Sequence, residues 1–91
     1  MTVEVKALTT RNPHSVIFKL NRTLADPGIG LSFFDPASAQ GHPIARGLFG
    51  IHGVLSVWII GDEVQVTKDE DVRWGTINSR IIETIKSASN N

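Results

Sequence analysis

The amino-acid sequence predicts an α+β domain, a two-layer sandwich in the order β-β-α-β-β-α, with two helices on one face of a mostly antiparallel sheet. Three observations predict this fold. Two pairs of short segments that carry apolar residues at alternate positions are each separated by a turn signal, as in β-hairpins. Each pair is followed by apolar residues at helical spacing. The chain has 91 residues, which is enough for one such domain.

The first hairpin is predicted from the segments "TVEVKAL" and "SVIFKL". In the first segment Glu4 and Lys6 separate the apolar residues, and this alternation is typical of a strand with one buried face. The intervening Asn12-Pro13 pair indicates a turn, because proline fixes its own φ and keeps the preceding residue out of the helical region. The predicted inward positions of the two strands are Val3, Val5, Ala7, Val16, Phe18 and Leu20.

The middle of the chain is predicted to hold a loop, an optional strand and a short helix. "NRTLADPGIG" predicts the loop, and "LSFF" predicts the optional strand. The helix is expected to begin near Pro43, since proline is tolerated in a first helical turn. It should end near Gly50 or Gly53, where glycine can adopt a left-handed cap. Its apolar stripe is predicted to consist of Ile44, Leu48 and Ile51.

The second hairpin is predicted from "VLSVWII" and "EVQVT", because a two-residue loop led by glycine, here Gly61-Asp62, favours a primed hairpin turn. Val64 and Val66 should face inward, and the first of these strands is apolar on both faces, so we expect it to be central or covered. The final helix is predicted to begin in "DED" at 69–71, because acids favour a first helical turn. Its inward stripe is predicted to consist of Trp74, Ile77, Ile81, Ile85 and Ala88.

Charge and composition exclude several functions for this domain, which is predicted at residues 1–88 with a frayed tail at 89–91. Nine basic and nine acidic residues give zero formal net charge, whereas nucleic-acid-binding proteins usually carry a basic excess. The 91 residues of the sequence include no cysteine, which excludes disulfides, thiolate nucleophiles and cysteine-ligated metal sites within them. No signal segment and no membrane-spanning apolar run is evident, so we expect no membrane partner and a cytoplasmic location.

No catalytic constellation is evident in the sequence. The serines lie in no nucleophile-elbow motif, so we predict that the protein is not an enzyme. His14, His42 and His52 lack the i, i+4 spacing that directs two imidazoles to one metal ion. An alternative stays open in which these histidines and nearby carboxylates bind iron or zinc directly. The acidic cluster at 62–71 is interpreted as a solvated turn with a helix start, or alternatively as a docking patch or cation site.

Partner binding is predicted for one face that carries Asn12, His14 and Arg46, residues that come from two features of the sequence. The turn around Asn12 and His14 presents polar groups beside two strand ends, and Arg46 lies on the polar side of the first helix. Loops on a rigid frame commonly carry binding residues. The alternative is that these residues serve only hairpin geometry and helix solvation. The large aromatic residues are instead expected in the core, namely Trp58, Trp74, Phe33, Phe34 and Phe49.

Three stretches of the sequence resemble the amino-terminal domain of NifU-like (Nfu) iron–sulfur scaffold proteins. The family turn Thr-Pro-Asn-Pro-Asn-Ser/Thr, which leads into a strand with a phenylalanine, is matched by Thr10, Asn12, Pro13, Ser15 and Phe18. Arg11 and His14 depart from it. The family pattern Ala-x-x-Leu-Phe-x-Ile-x-Gly-Val-x-x-Val is matched by "ARGLFGIHGVLSV" at 45–57. A Val-Thr-Lys strand end followed by a tryptophan is matched by Val66, Thr67, Lys68 and Trp74.

The resemblance covers roughly residues 3–86 and implies a role in iron–sulfur cluster assembly or iron handling, through contact with assembly or recipient proteins. In two-domain relatives the cluster is bound by a Cys-x-x-Cys motif in a separate carboxyl-terminal domain. Since these 91 residues contain no cysteine, no intrinsic cofactor is expected, and iron or an iron–sulfur cluster is associated only through the family. The prediction is therefore a non-enzymatic adaptor, with direct iron or zinc binding as the alternative.

Overall fold

The computed structural model describes residues 3–24 and 28–89 and contains a five-stranded sheet with two helices. The sheet order is β1-β2-β5-β4-β3, and every neighbouring pair is antiparallel. The predicted α+β class is confirmed. The elements are β1 (Val5–Thr9), β2 (Ser15–Leu20), β3 (Gly30–Phe33), α1 (Pro43–Phe49), β4 (Val54–Ile60), β5 (Glu63–Lys68) and α2 (Trp74–Ser89).

Both predicted hairpins form. β1 pairs with β2, and β4 pairs with β5 up to the register position Ile60–Glu63, which leaves Gly61 and Asp62 as a two-residue turn. Gly61 has a φ of 58°, whereas no described non-glycine residue has a positive φ. A positive φ at the first turn position alone is typical of a type II′ turn, whose twist suits paired strands. The predicted primed turn is therefore confirmed.

The optional "LSFF" strand is present as β3, and it extends the sheet beyond β4. The chain reaches this edge by crossing the tip of the second hairpin. The amide of Leu20 donates to the carbonyl oxygen of Asp62 over 2.8 Å, and that of Leu24 donates to Gly61 over 2.7 Å. Residues 25–27 of the predicted loop lie outside the described part of the chain, as does residue 2 of the first predicted strand.

A single core fills the space between the helices and the inner face of the sheet. Ile77, Ile81 and Ile85 are buried along α2, while Trp74 and Ala88 pack partly buried at its two ends, so the predicted stripe is confirmed. The stripe of α1 is confirmed as well, since the buried residues there are Ile44, Leu48 and, just after the helix, Ile51. The largest fully buried side chains are Phe18, Leu48, Ile59, Ile81, Ile85, Val57, Val64 and Val66.

The boundaries of α2 differ from the prediction. The helix begins at Trp74, and its first turn contains no acid, so the predicted start in 69–71 is wrong. Instead, the Asp69 carboxylate accepts a hydrogen bond from the Asp71 amide over 3.0 Å, which closes a local turn that competes with helix. At the other end Ser89 is buried, and its carbonyl oxygen accepts a hydrogen bond from the Arg22 guanidinium. Residues 90 and 91 lie outside the described part of the chain.

The outer face of the sheet is not covered by any described element, and this corrects several core predictions. β4 lies inside the sheet, but Trp58 on its outer side is 42 % exposed. Leu55 is 51 % exposed beside a register shift, and Phe34 beyond β3 is 76 % exposed. Ala7 is exposed for a different reason: it pairs with the buried Phe18 and faces the inner side, but it lies on the edge strand β1. Both helices lie on one face, so apolar residues on the other face stay in contact with water. Phe33 and Phe49 are partly buried against the core.

Candidate protein-interaction sites

The turn between β1 and β2 is held by its own side chains. The Thr10 hydroxyl reaches the carbonyl oxygens of Asn12 and Ser15, each at 2.9 Å. The side-chain oxygen of Asn12 accepts a hydrogen bond from the His14 amide over 2.9 Å. Asn12 thus forms the Asx-type turn that its residue type favours. Of the residues predicted to bind a partner, Asn12 therefore also has a structural role.

The stretches that resemble the family pattern contact one another in space. The Trp74 indole N–H donates to the Pro13 carbonyl oxygen over 2.9 Å, although the two residues are 61 positions apart. The Ser15 and Thr67 hydroxyls are 2.8 Å apart across β2 and β5. The Lys68 amide donates to the His14 carbonyl oxygen over 2.8 Å. These contacts fix the turn to β5 and to the start of α2.

Lys68 is a buried cation in this contact network, with only 7 % of its surface exposed. Its ammonium group donates to the Asp69 carbonyl oxygen over 3.2 Å and lies 5.6 Å from the centroid of the Trp74 ring. A carbonyl oxygen and an aromatic face both stabilise a desolvated ammonium group. Lys68 therefore stabilises the turn and is not free to bind a partner.

The first candidate surface is the turn cavity, lined by Asn12, His14, Leu55, Thr67, Lys68, Asp69 and Glu70. It combines one half-exposed leucine with polar and acidic groups. The Nδ1 atom of His14 is buried and has no hydrogen-bond partner among the described residues. An apolar anchor within a polar rim is the usual composition of a protein-interaction surface. Asn12 and His14 thus lie together, as the sequence suggested.

The second candidate surface is the helix groove, lined by Arg46, Gly47, Arg80, Glu83, Thr84 and Ser87 and having a volume of about 630 Å³. It shares no lining residue with the turn cavity, so Arg46 does not join Asn12 and His14 in one cavity. The side chains of Arg46, Arg80 and Glu83 form no hydrogen bond or ion pair with any residue that the structure describes.

Sequence reasoning missed Arg80 and Glu83. Both residues are exposed, and both lie off the buried stripe of α2. From the sequence, their positions on the helix indicate only that both side chains face solvent. Their proximity to Arg46 depends on the packing of α1 against α2, and no local pattern in the sequence encodes that packing.

The three histidines lie in different surroundings. His14 is in the turn cavity, and His52 is exposed after α1. His42 precedes α1, and its ring centroid lies 5.7 Å from that of Phe33. Burial lowers the pKa of His42 below its ordinary value of 6.5, because desolvation disfavours the charged imidazolium. Within residues 3–24 and 28–89, no group of three or more His, Asp or Glu residues is arranged to hold a metal ion.

A sequence model of one family matches residues 5–91, and its description is "Scaffold protein Nfu/NifU N terminal". NifU-like protein 4, mitochondrial, of Arabidopsis thaliana is 31 % identical over 84 residues, which are 92 % of this chain and 29 % of that protein. The human NFU1 iron-sulfur cluster scaffold homolog, mitochondrial, is 34 % identical over 82 residues, which are 89 % of this chain and 32 % of that protein. The chain therefore spans about three tenths of the length of these curated relatives.

Solved structures have the same fold. The solution structure of a NifU-like protein from Saccharomyces cerevisiae superposes with a TM-score of 0.77 at 25 % identity, covering 94 % of this chain and 77 % of that one. The crystal structure of protein SAV1430 from Staphylococcus aureus gives a TM-score of 0.79 at 16 % identity, covering 93 % of this chain and 99 % of that one. The second likeness concerns the fold alone. None of the helices in the described ranges is both long and apolar enough to cross a membrane.

Proposed function

The chain belongs to the Nfu/NifU scaffold-protein amino-terminal family, and from this premise we propose that it is a non-enzymatic accessory domain of iron–sulfur cluster assembly. In this role it binds the proteins that build or receive clusters. The observation that carries the proposal is the family match over residues 5–91. It is supported by the human relative, which is named as an iron–sulfur cluster scaffold homolog.

The proposed role is to make protein contacts and leaves cluster ligation to other residues. Cysteine thiolates are the usual ligands of iron–sulfur clusters, and these 91 residues contain none. A cluster in the same assembly would therefore be held by thiolates of another chain or of another segment. The cluster is then cargo of the assembly.

Two surfaces are available for this contact. The turn cavity offers Leu55 as an apolar anchor beside His14 and Glu70, and the helix groove offers two arginines and one glutamate. Both lie on elements fixed by the core, and binding residues on a rigid frame lose little conformational entropy when a partner binds. The Trp74–Pro13 hydrogen bond keeps the turn cavity preorganised in this way.

Capture of the tagged protein from its native cells tests the proposal. Cross-linked partners are identified by mass spectrometry and compared with those of an unrelated tagged protein of similar size. The expected result is enrichment of cluster-building or cluster-receiving proteins. Recovery of none of these, with the protein folded and expressed, would contradict the proposal. We also propose the cytoplasm as its location. The named plant and human relatives are mitochondrial proteins, so the two locations need to be distinguished. Fluorescence imaging does this, and a mitochondrial signal would contradict the proposal.

A further inference from the structure

Two arginines of the helix groove form no ion pair with any described residue. Arg46 projects from α1 and Arg80 from α2, and both residues are exposed. The two ion pairs among the described residues both involve Lys19, and neither guanidinium takes part in a hydrogen bond there. Each guanidinium therefore has its full set of donors available to a carboxylate of another molecule.

The walls of the groove are held at a fixed separation. Gly47 faces α2 so closely that a Cβ atom placed on it would lie 2.7 Å from Cγ2 of Thr84. The helices are therefore in contact at the base of the groove, with the arginines on opposite walls. Because the core fixes both helices, a bound segment would meet two guanidinium groups that are already positioned.

The helical layer is positively charged although the chain as a whole is neutral. Arg46, Arg80 and Lys86 contribute three positive charges and Glu83 one negative charge, so α1 and α2 together carry a net charge of +2. The acidic cluster at 69–71 is in the connection between β5 and α2, outside the groove. Lys86 does not line the groove, where Arg46, Arg80 and Glu83 leave a net charge of +1, and this positive charge is complementary to an acidic surface.

We propose that the helix groove binds a carboxylate-bearing segment of a protein partner, with acidic side chains paired to Arg46 and Arg80. This proposal rests on the proposed function and names the chemistry of the partner. The planar guanidinium group binds a carboxylate through two parallel hydrogen bonds. Glu83 in the same groove repels a dense polyanion such as a nucleic acid, and it favours a segment that also carries a basic or amide side chain.

A peptide titration tests the proposal on the whole 91-residue chain. The probe is a synthetic peptide of alternating Glu and Ala residues, and its matched control has Gln in place of every Glu. Binding is followed by the amide shifts of the isotope-labelled protein at low salt. The expected result is that the Glu peptide shifts the amides of Arg46, Arg80 and Thr84, whereas the Gln peptide does not.

Charge variants then locate the site. We expect Arg46→Glu and Arg80→Glu each to weaken binding of the Glu peptide by about five-fold or more, because an exposed pair is lost and a repulsion is added. Glu83→Gln should tighten it. Arg73→Glu is the matched control, since Arg73 is exposed and does not line the groove, and we expect it to change binding by less than about two-fold.

Three results would overturn the proposal. They are equal weakening by Arg73→Glu and Arg46→Glu, equal binding of the Glu and Gln peptides, and preferential displacement of the peptide by a short DNA oligonucleotide.

The cellular capture repeated with Arg46→Glu separates this proposal from the proposed function. If recovery of assembly proteins is unchanged, the proposed binding in the groove is rejected and the proposed function is retained. If the peptide binds in the groove but the wild-type capture recovers no assembly protein, the proposed function is rejected and the proposed binding in the groove is retained.

Discussion

The indole of Trp74 donates its N–H to the carbonyl oxygen of Pro13, and its ring faces the ammonium group of Lys68. Trp58 has neither contact: its ring covers Gly30 on the open face of the sheet, and its N–H has no hydrogen-bond partner among the described residues. The two tryptophans are therefore expected to differ in what they contribute to stability.

Substitution of each tryptophan by phenylalanine measures this difference. We expect Trp74→Phe to lower the free energy of unfolding by about 1–2 kcal/mol, because it removes one hydrogen bond and weakens one cation–π contact. Trp58→Phe, the matched control, keeps a ring in place and should cost less than about 0.5 kcal/mol. Urea denaturation of both variants checks the prediction, and equal losses would contradict it.

His42 should make stability depend on pH. Its pKa in the folded protein lies below the ordinary value of 6.5 because burial disfavours the imidazolium. A depressed pKa means that the unfolded chain binds the proton more readily. The contribution of neutral His42 to the free energy of unfolding is therefore fully present above pH 6.5. It is lost as the pH falls through the lower pKa of the folded protein.

Urea denaturation at about pH 7.5 and at about pH 5 tests this effect. The free energy of unfolding should fall between the two, and by less in His42→Asn, which has no titrating group at this position. The contact with Phe33 is lost from the variant at both pH values, so only the difference between them is compared. An identical decrease in the two proteins would show that His42 does not contribute.

At the scale of elements, the contact between α1 and α2 depends on one small residue. Gly47 lies inside α1, where glycine costs about 1 kcal/mol relative to alanine. Its closeness to Cγ2 of Thr84 gives a reason for the glycine, because alanine would gain helix propensity and lose the close approach. The helix groove exists because the two helices can meet at this point.

Gly47→Ala should therefore lower the free energy of unfolding by about 1 kcal/mol net, since overpacking of a tight contact exceeds the gain in helix propensity. Adding Thr84→Ser, which removes Cγ2, should restore stability to at least the wild-type level. Gly75→Ala in α2 is the control: nothing lies within 4 Å of its added Cβ atom, so we expect a gain of up to about 1 kcal/mol. Thermal unfolding checks all three variants, and a stabilised single Gly47→Ala would refute the close-contact argument.

At the scale of the whole molecule, a single core lies between the two helices and the inner face of the sheet. The described residues provide no cluster of metal ligands. The purified chain should accordingly take up less than one equivalent of Fe²⁺ or Zn²⁺ in a titration followed by calorimetry. Imidazole and carboxylate ligands bind tightly only when several converge on one ion. Stoichiometric uptake that is lost in His14→Ala or His42→Ala would revive the alternative of direct metal binding.

Much of the fold could be predicted because it is encoded by local periodicity. The alternation in β2 and β5 and the stripe of Ile77, Ile81 and Ile85 each place apolar residues on one side of an element, whatever that side contacts. The boundaries were less predictable. The acids at 69–71 suit a helix start as well as a turn, and the Asp69 side chain decides for the turn.

The sequence by itself determined the two hairpins, the two helices, the buried side of each element and the lack of thiolate ligands within these residues, because each follows from neighbours in the chain or from composition. Tertiary structure alone decided which faces meet. It left Trp58 in water, joined Trp74 to Pro13 across 61 positions, and brought Arg80 to the same groove as Arg46 but not to His14. These outcomes depend on how the layers pack, and side-chain periodicity fixes an inward face without specifying what that face meets.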